Sequence, residues 1–436
     1  MSLVPEHIKN LSPYVAGKRI EEVKKQFNLK SVIKLASNEN PFGPSPLAIE
    51  RVKNTLNFTN RYPDSSGYDL RSLLAEKHMV NIDNVIIGNG SEGIMSAAIR
   101  TFLNKGDELI SAEDSFIGFR VLANASGKKI HWVKMKDYRY DLHSISKKIN
   151  KNTKIIYLAN PDNPTGTYFR KNEFEKFISN VPERVLVILD EAYYEYANNY
   201  EDFPDSMSYR LDNVITLRTF SKCYGLAGFR VGYGFAHHTL IENLLKVKLP
   251  FEPSIPAQEA AIGSLEDSKY LKKILDSNQL GMDYLSSEFV KIKVPFIKSC
   301  ANFITIIFVD IWHQVSFMII LLLAGLSAIP KEPYEAAKSD GANIYECFIH
   351  ITLPYMRPVI VVTILIRLIF AIKTYDLIYI MTKGGPGDAT DLISYYIYRS
   401  AFISLNLGEA AAMSTILLFI IVILTLPLFK YMDRSD

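Results

Sequence analysis

The stretch Thr219–Gly234, TFSKCYGLAGFRVGYG, sets Lys222 among hydroxyls and places Arg230 eight residues on. A lysine amine is the side chain that condenses with an aldehyde cofactor, and an arginine beside Ser221 and Thr219 can hold a phosphate by charge-assisted hydrogen bonds. A solvated surface lysine has the same local look, so the weight of the stretch depends on the segments before it.

Three upstream segments end at the same kind of place. RVLVILDEAYYEY predicts a buried strand, Val185 to Leu189, closing on Asp190 with Tyr193 three residues further. Open α/β sheets put ligand contacts at the carboxyl ends of strands, although Asp190 could equally cap the next turn. KIIYLANPDNPTG is a second strand running into a Pro- and Gly-rich turn, which puts Asn163 at that edge, as a ligand or as an ordinary turn amide. NVIIGNGSEGIMSAAI is a strand, a glycine turn and a helix start, so the amides of Gly90, Ser91 and Glu92 would face an anion; many turns share this pattern.

These segments belong to a βαβα rhythm that lasts to about residue 309, where short apolar runs alternate with charged helical stretches such as KNEFEKFISN. The chain of 436 residues carries a formal charge of only +3, with both signs interspersed, which argues against a nucleic-acid surface. Three cysteines, Cys223, Cys300 and Cys347, are too few for a disulfide framework or a Cys-rich metal site, so no metal is expected and the compartment reads as reducing. The amino terminus lacks the apolar core of a secretory signal, and the chain is expected to start in the cytoplasm.

In combination and in this order, LSPYVAGKRIEEV, LASNENPFGPSP, NRYPDSSGYDLR, GNGSEGI, NPDNPTG, LDEAYYEY and SKCYGLAGFRVGYG resemble the fold-type I, class I/II aminotransferases that use pyridoxal phosphate, most closely histidinol-phosphate aminotransferases. The resemblance runs from about Leu11 to Val309, with nothing beyond Val309 matching. It implies an α/β domain over 1–309, built on a doubly wound, mostly parallel sheet, with a small domain that leaves the family's pattern after a strand or two. It implies that Lys222 carries the cofactor and then moves the substrate proton. By the same resemblance Asp190 pairs with the pyridine nitrogen, and Asn163 and Tyr193 bond the ring oxygen. Gly90, Ser91, Thr219, Ser221 and Arg230 bind the phosphate, the Glu92 amide being a candidate from the helix start alone, while Phe116 in EDSFIGF stacks on the ring. Tyr62 would reach the phosphate from the partner subunit of a homodimer, and the Asn38 to Pro41 segment, with Asn38 and Asn40, would line the substrate side. The implied reaction exchanges an amino group between histidinol phosphate, with its keto partner, and the glutamate/2-oxoglutarate pair.

Beyond residue 309 the charges thin out. Three apolar segments follow, Val315 to Ile329, Val359 to Ile380 and Ala410 to Phe429, against the roughly 20 residues a membrane helix needs. Arg367, Lys373 and Asp376 interrupt the second. Between the first two lies KEPYEAAKSDGANIYECFIHITLPYMRPVI, with Glu335, Ala336 and Ala337 on a short amphipathic helix before Gly341. Together with TYDLIYIMTKGGPGDATDLISYYIYRSAF it resembles the permease subunits of sugar-type ABC importers, over 310–436. That resemblance implies an all-α transmembrane fragment with about three spans among membrane lipid, whose EAA loop docks onto an ATPase subunit.

The two halves are expected to conflict. If the loop bearing Lys331, Lys338 and Arg357 is cytoplasmic, the first span begins outside and carries the aminotransferase half with it. That half belongs in the cytoplasm and the other in the inner membrane. The switch has no Gly-, Pro- or Ser-rich padding, so a chimera of two partial families is the expected explanation.

Overall fold

A computed structural model describes residues 3–9, 11, 20–306, 309–373 and 392–433. It divides into two units, Met1–Ile307 and Phe308–Asp436.

The first unit is built on seven strands: β1 (Val85–Gly88), β2 (Glu108–Ala112), β3 (Lys129–Val133), β4 (Thr153–Ala159), β5 (Leu186–Asp190), β6 (Val214–Thr219) and β7 (Gly232–Phe235), in the spatial order β1-β7-β6-β5-β4-β2-β3. Pairing is parallel from β3 through β2, β4 and β5 to β6, and β7 runs antiparallel to both β6 and β1. The sheet is therefore mixed but mostly parallel. β5 is buried at every position, as a strand covered on both faces must be.

Side-chain alternation shows how both faces are covered. Ile86 joins a core cluster with Ile94, Leu109, Ile155 and Leu217, whereas its neighbours Val85 and Ile87 join another with Leu70, Tyr233, Phe235 and Ala260. Successive strand residues point to opposite faces, so a strand feeding two cores must carry helices above and below it. Each fully buried Ile or Leu contributes roughly 1.5–3 kcal/mol. A charge at Ile188, which is 0 % exposed in the middle of β5, would break the larger core.

The helices begin where the chemistry of their first residues allows. Ser45 caps Pro46–Thr55 by accepting from Ala48 N, and Ser254 caps Ile255–Glu266 by accepting from Ala257 N, each with proline in the first turn. Asp267 caps the 24-residue helix Ser268–Lys291. After it, β8 (Phe296–Ile297) and β9 (Thr305–Ile306) pair as a short antiparallel hairpin.

The second unit is α-helical in its described residues. Helices span Val309–Ser327, Glu332–Ser339 and Ile344–Cys347, the last continuing through a π-helical turn, Phe348–Thr352, into Leu353–Lys373; Ile393–Tyr398 and Leu407–Asp433 follow. Asn343 starts one of them with a capping box, its side chain accepting from the amides of Tyr345 and Glu346 while Glu346 Oε2 accepts from Asn343 N. Glu335 and Ala336 on Glu332–Ser339 are exposed, Ala337 is half-buried, and Gly341 is exposed at φ +88°.

Among the described residues one helix, Ile344–Ile366, is long and apolar enough to cross a membrane; Met318–Ser327 and Leu407–Ile423 are apolar but shorter. That helix starts well before the expected Val359, because the π-helical turn carries it through. Residues 374–380 of the expected second span, Asp376 included, lie outside the described residues, as do the side chains of Arg367 and Lys373.

Candidate active site

β1, β4, β5 and β6 end at one edge of the sheet, and β7 starts there, because Gly232 is paired with both Gly88 and Thr219. The segments that follow or precede these ends converge. They enclose a cavity of about 400 Å³ walled by Asn38, Ser91, Glu92, Phe116, Asn163, Asp190, Tyr193, Thr219, Ser221, Lys222 and Arg230. Ser37, Ala159, Pro161 and Ala192 complete the wall.

Asp190 closes β5 and is 3 % exposed. Tyr157, from β4, donates its hydroxyl to Asp190 Oδ2 at 2.8 Å, while Oδ1 is buried without a hydrogen-bond partner. Burial pushes the carboxyl up to about 7, against the opposing pull of the Tyr157 hydrogen bond. A buried carboxylate oxygen with nothing to accept from is costly unless a ligand supplies the donor. Across the cavity, Lys222 Nζ donates to Ser37 O at 3.1 Å and lies 5.5 Å from the Tyr193 ring centre. Burial lowers its pKa, which favours the neutral, nucleophilic amine. The Tyr193 hydroxyl accepts from Asn38 Nδ2 at 3.0 Å and Asn163 Nδ2 at 3.2 Å.

The other end of the cavity is cationic. Arg230 donates from Nη1 to Ser221 Oγ at 3.4 Å and from Nη2 to Glu92 Oε2 at 3.1 Å. Thr219 Oγ1 accepts from Ser221 N at 3.1 Å. Gly90, Ser91 and Glu92 open the helix Gly90–Phe102, so their amides lack helical partners. Two glycines let this end close up. Gly90 sits at φ +72°, with Arg230 Nη2 2.8 Å from where a Cβ would stand, and a Cβ on Gly232 would lie 2.5 Å from Ser91 N. Lys222, Asp190 with its open Oδ1, and an anion cradle thus surround one small-molecule space.

Three expected residues, Tyr62, Asn40 and Gly90, do not line it. Tyr62 is 78 % exposed and stacks on Phe251 with ring centres 4.4 Å apart. Asn40 is buried as a strut: its Nδ2 donates to Cys223 O at 2.8 Å and its Oδ1 accepts from Phe42 N at 3.0 Å. Positive φ at Ser37 and Asn38 turns the chain so that these two face the cavity and Asn40 faces the segment behind Lys222. Gly90 lies behind Arg230 and takes no part in the wall. Glu92, expected through its amide, contributes its carboxylate to Arg230. Tyr157 was not among the expected residues. The β4–β5 register pairs it with Ile188, one pleat from Asp190 on the same face, so strand pairing was the signal that could have found it.

The family model for "Aminotransferase class I and II" matches residues 30–335, beyond Val309. That for "Binding-protein-dependent transport system inner membrane component" matches 299–435, so the two share 299–335. The chain is similar to histidinol-phosphate aminotransferase 2 of Carboxydothermus hydrogenoformans, 38 % identical over 306 residues that cover 70 % of this chain and 84 % of the relative. It is 41 % identical to histidinol-phosphate aminotransferase of Moorella thermoacetica over 309 residues, 70 % and 79 % of the two chains. Histidinol-phosphate aminotransferase from Sinorhizobium meliloti, solved in complex with pyridoxal-5'-phosphate, superposes with a TM-score of 0.65 at 27 % identity, covering 74 % of this chain and 86 % of that one. With its mostly parallel sheet and its lysine and aspartate at one sheet edge, the chain belongs to the class I and II aminotransferases.

Proposed function

We propose that the first unit is a pyridoxal-phosphate-dependent aminotransferase that exchanges an amino group between histidinol phosphate, with its keto partner, and the glutamate/2-oxoglutarate pair. The observation that carries the cofactor is the buried, unpartnered Oδ1 of Asp190, facing a cavity that also holds Lys222 and the Arg230 cradle. The substrate comes from the names of the relatives. Bound pyridoxal phosphate supplies an electrophilic aldehyde carbon and a protonated ring that draws electrons from the substrate carbon.

The chain's own groups do the rest. Asp190 keeps the proton on the ring nitrogen, at the oxygen that lacks a protein donor. Lys222 would hold the aldehyde carbon until the substrate amine displaces it, and the freed amine would then take a proton from the substrate carbon and return it, a role suited to an amine whose pKa burial lowers. Tyr193 and Asn163 bond the ring oxygen, and Phe116 covers the ring. Arg230, Ser221, Thr219 and the amides of Ser91 and Glu92 would hold the phosphate, with Arg230 Nη2 exchanging Glu92 for it. Asn38 borders the substrate, and Asn40 holds the Asn38 loop against the Lys222 segment. A homodimer would bring the exposed Tyr62 to the partner's phosphate.

Purified chain given pyridoxal phosphate should turn yellow and transfer the amino group of glutamate to the keto partner of histidinol phosphate. Lys222→Ala should abolish both. A wild-type chain with no visible band, or an unchanged band in the Lys222 variant, would overturn the reading.

A second reading is favoured by the permease match over 299–435 and by the exposed Glu335 and Ala336 on Glu332–Ser339. In it the second unit is a permease fragment in the inner membrane, its EAA segment of Glu335, Ala336, Ala337 and Gly341 docking onto an ATPase subunit. The aminotransferase unit belongs to the cytoplasm, so the chain is a chimera of two partial families. Alkaline extraction of membranes and co-purification of an ATPase, lost in Glu335→Ala, test it; a chain that washes off the membrane alone would end it.

A further inference from the structure

The turn after β4 contains a carboxylate that none of the proposed chemistry uses. Asp162 is 0 % exposed. Its Oδ2 accepts from Thr165 Oγ1 at 2.9 Å and from Thr165 N at 3.3 Å, as a turn aspartate does. Its Oδ1 does something a turn does not require: it accepts from Ser115 Oγ at 2.7 Å. Because Ser115 spends its proton on Asp162, the 2.5 Å bond between Ser115 and Tyr140 must be donated by Tyr140, whose oxygen in turn accepts from Ala159 N at 3.0 Å. The result is a directional chain from the end of β4, through Tyr140 and Ser115, to Asp162.

The neighbours of these residues give the chain its purpose. Ser115 precedes Phe116, and Asp162 precedes Asn163, which bonds Tyr193. Both Phe116 and Asn163 wall the cavity. Their parent strands β2 and β4 pair only as far as Ile110 with Ile156. Beyond that point Ser111 Oγ donating to Tyr157 O at 3.1 Å, and then Ser115 donating to Asp162, hold the two strand ends together. Burying a carboxylate for this is costly, and burial pushes its pKa up to about 6.

We propose that Asp162 is a positioning residue that, through Ser115 and Thr165, sets the gap between Phe116 and Asn163 in which the cofactor ring is held. This rests on the pyridoxal phosphate reading of the cavity. The test compares Ser115→Ala, Asp162→Asn and the double variant with the wild-type full chain. Three quantities are read: the pyridoxal phosphate dissociation constant, the visible circular dichroism per bound cofactor, and the melting temperature without cofactor. Each single variant should weaken cofactor about tenfold, the effect of one hydrogen bond to a charged group, and reduce the ellipticity of what is bound. The double variant should be no worse than the poorer single one, because both break the same link. Ser115→Ala keeps the Thr165 contacts, so it decides the matter if Asp162→Asn fails to fold. Wild-type affinity and ellipticity in Ser115→Ala, or losses that add in the double variant without a change in ellipticity, would overturn the proposal alone. A wild-type chain that takes up no cofactor would remove the functional reading as well.

Discussion

Tyr157 donates its hydroxyl to Asp190 Oδ2 at 2.8 Å while its ring stacks on Phe119 with centres 4.0 Å apart and planes 6° from parallel. The hydroxyl is thereby fixed by packing, and it lowers the pKa of an acid that burial alone would raise further. In Tyr157→Phe the ring packing survives and only the hydrogen bond goes. The carboxyl should then titrate above its present value of about 7 and meet a ring cation less often in its charged form. Pyridoxal phosphate should bind about tenfold more weakly at neutral pH, the worth of a hydrogen bond to a charged group. Equilibrium titration of the visible band checks this; equal affinities would show that Tyr157 has no hold on Asp190.

The same carboxyl makes apo-protein stability depend on pH. Its folded pKa of about 7 lies above the ordinary 3.8, so between those values the native chain holds more protons than the unfolded one. Stability from this group is therefore lost as pH rises from about 4 to 7, and remains lost above that. Asp190→Asn keeps an acceptor for Tyr157 and carries no charge. Without cofactor it should be more stable than wild type at pH 8 by up to about 4 kcal/mol, narrowing as pH falls towards 4. Denaturant unfolding at both pH values checks the sign; a pH-independent difference would contradict it.

Much of this site was open to reading from sequence because its residues sit beside strand ends. Asp190 closes a run of five buried residues, and Lys222 follows another buried strand by three positions. What could not be read depended on long-range geometry. Tyr157 becomes an Asp190 partner only through the β4–β5 register, and Asn40 turns away from the cavity because Ser37 and Asn38 adopt positive φ. The antiparallel β7 is four residues, GYGF, with no local mark of direction. Tyr62 faces solvent, so any role it has depends on another subunit. In the second unit, the helical continuity from Ile344 to Ile366 depends on the π-helical turn at Phe348–Thr352, which apolar runs do not announce.

Gly232 tests the anion end of the cavity. A methyl group there would lie 2.5 Å from Ser91 N and 2.6 Å from Gly90 C, and both are backbone atoms with no rotamer to adopt. Gly232→Ala must push the start of the Gly90–Phe102 helix away from β7, at a cost of roughly 1–3 kcal/mol. The amides of Ser91 and Glu92, proposed to hold the phosphate, move with it. Inorganic phosphate and pyridoxal phosphate should both bind more weakly, while pyridoxal, which lacks the phosphate, should be affected far less. Equal losses for pyridoxal would locate the damage elsewhere.

Behind the site, Arg218 and Glu191 tie together the two strands that present Thr219 and Asp190. Arg218 donates to Glu191 Oε2 from Nε at 2.9 Å and from Nη2 at 2.7 Å, and its guanidinium lies 3.3 Å from the centre of the Tyr194 ring. Their side chains are 1 % and 0 % exposed, so neither charge has water to fall back on. Asp205 also accepts from Nη2, at 2.9 Å, and Glu191 Oε1 accepts from Ser206 N at 3.1 Å. Glu191→Ala leaves a buried guanidinium with Asp205 and the Tyr194 ring but without its bidentate partner, and should cost about 3–5 kcal/mol. Combining it with Arg218→Met removes both charges and should recover more than half of that loss, because the expense lies in the stranded charge rather than in the missing attraction. Urea unfolding of the cofactor-free chain and its two variants checks both statements. If the double variant is as unstable as Glu191→Ala alone, the loss lies in the missing tie between β5 and β6, and the account given for Arg218 is wrong.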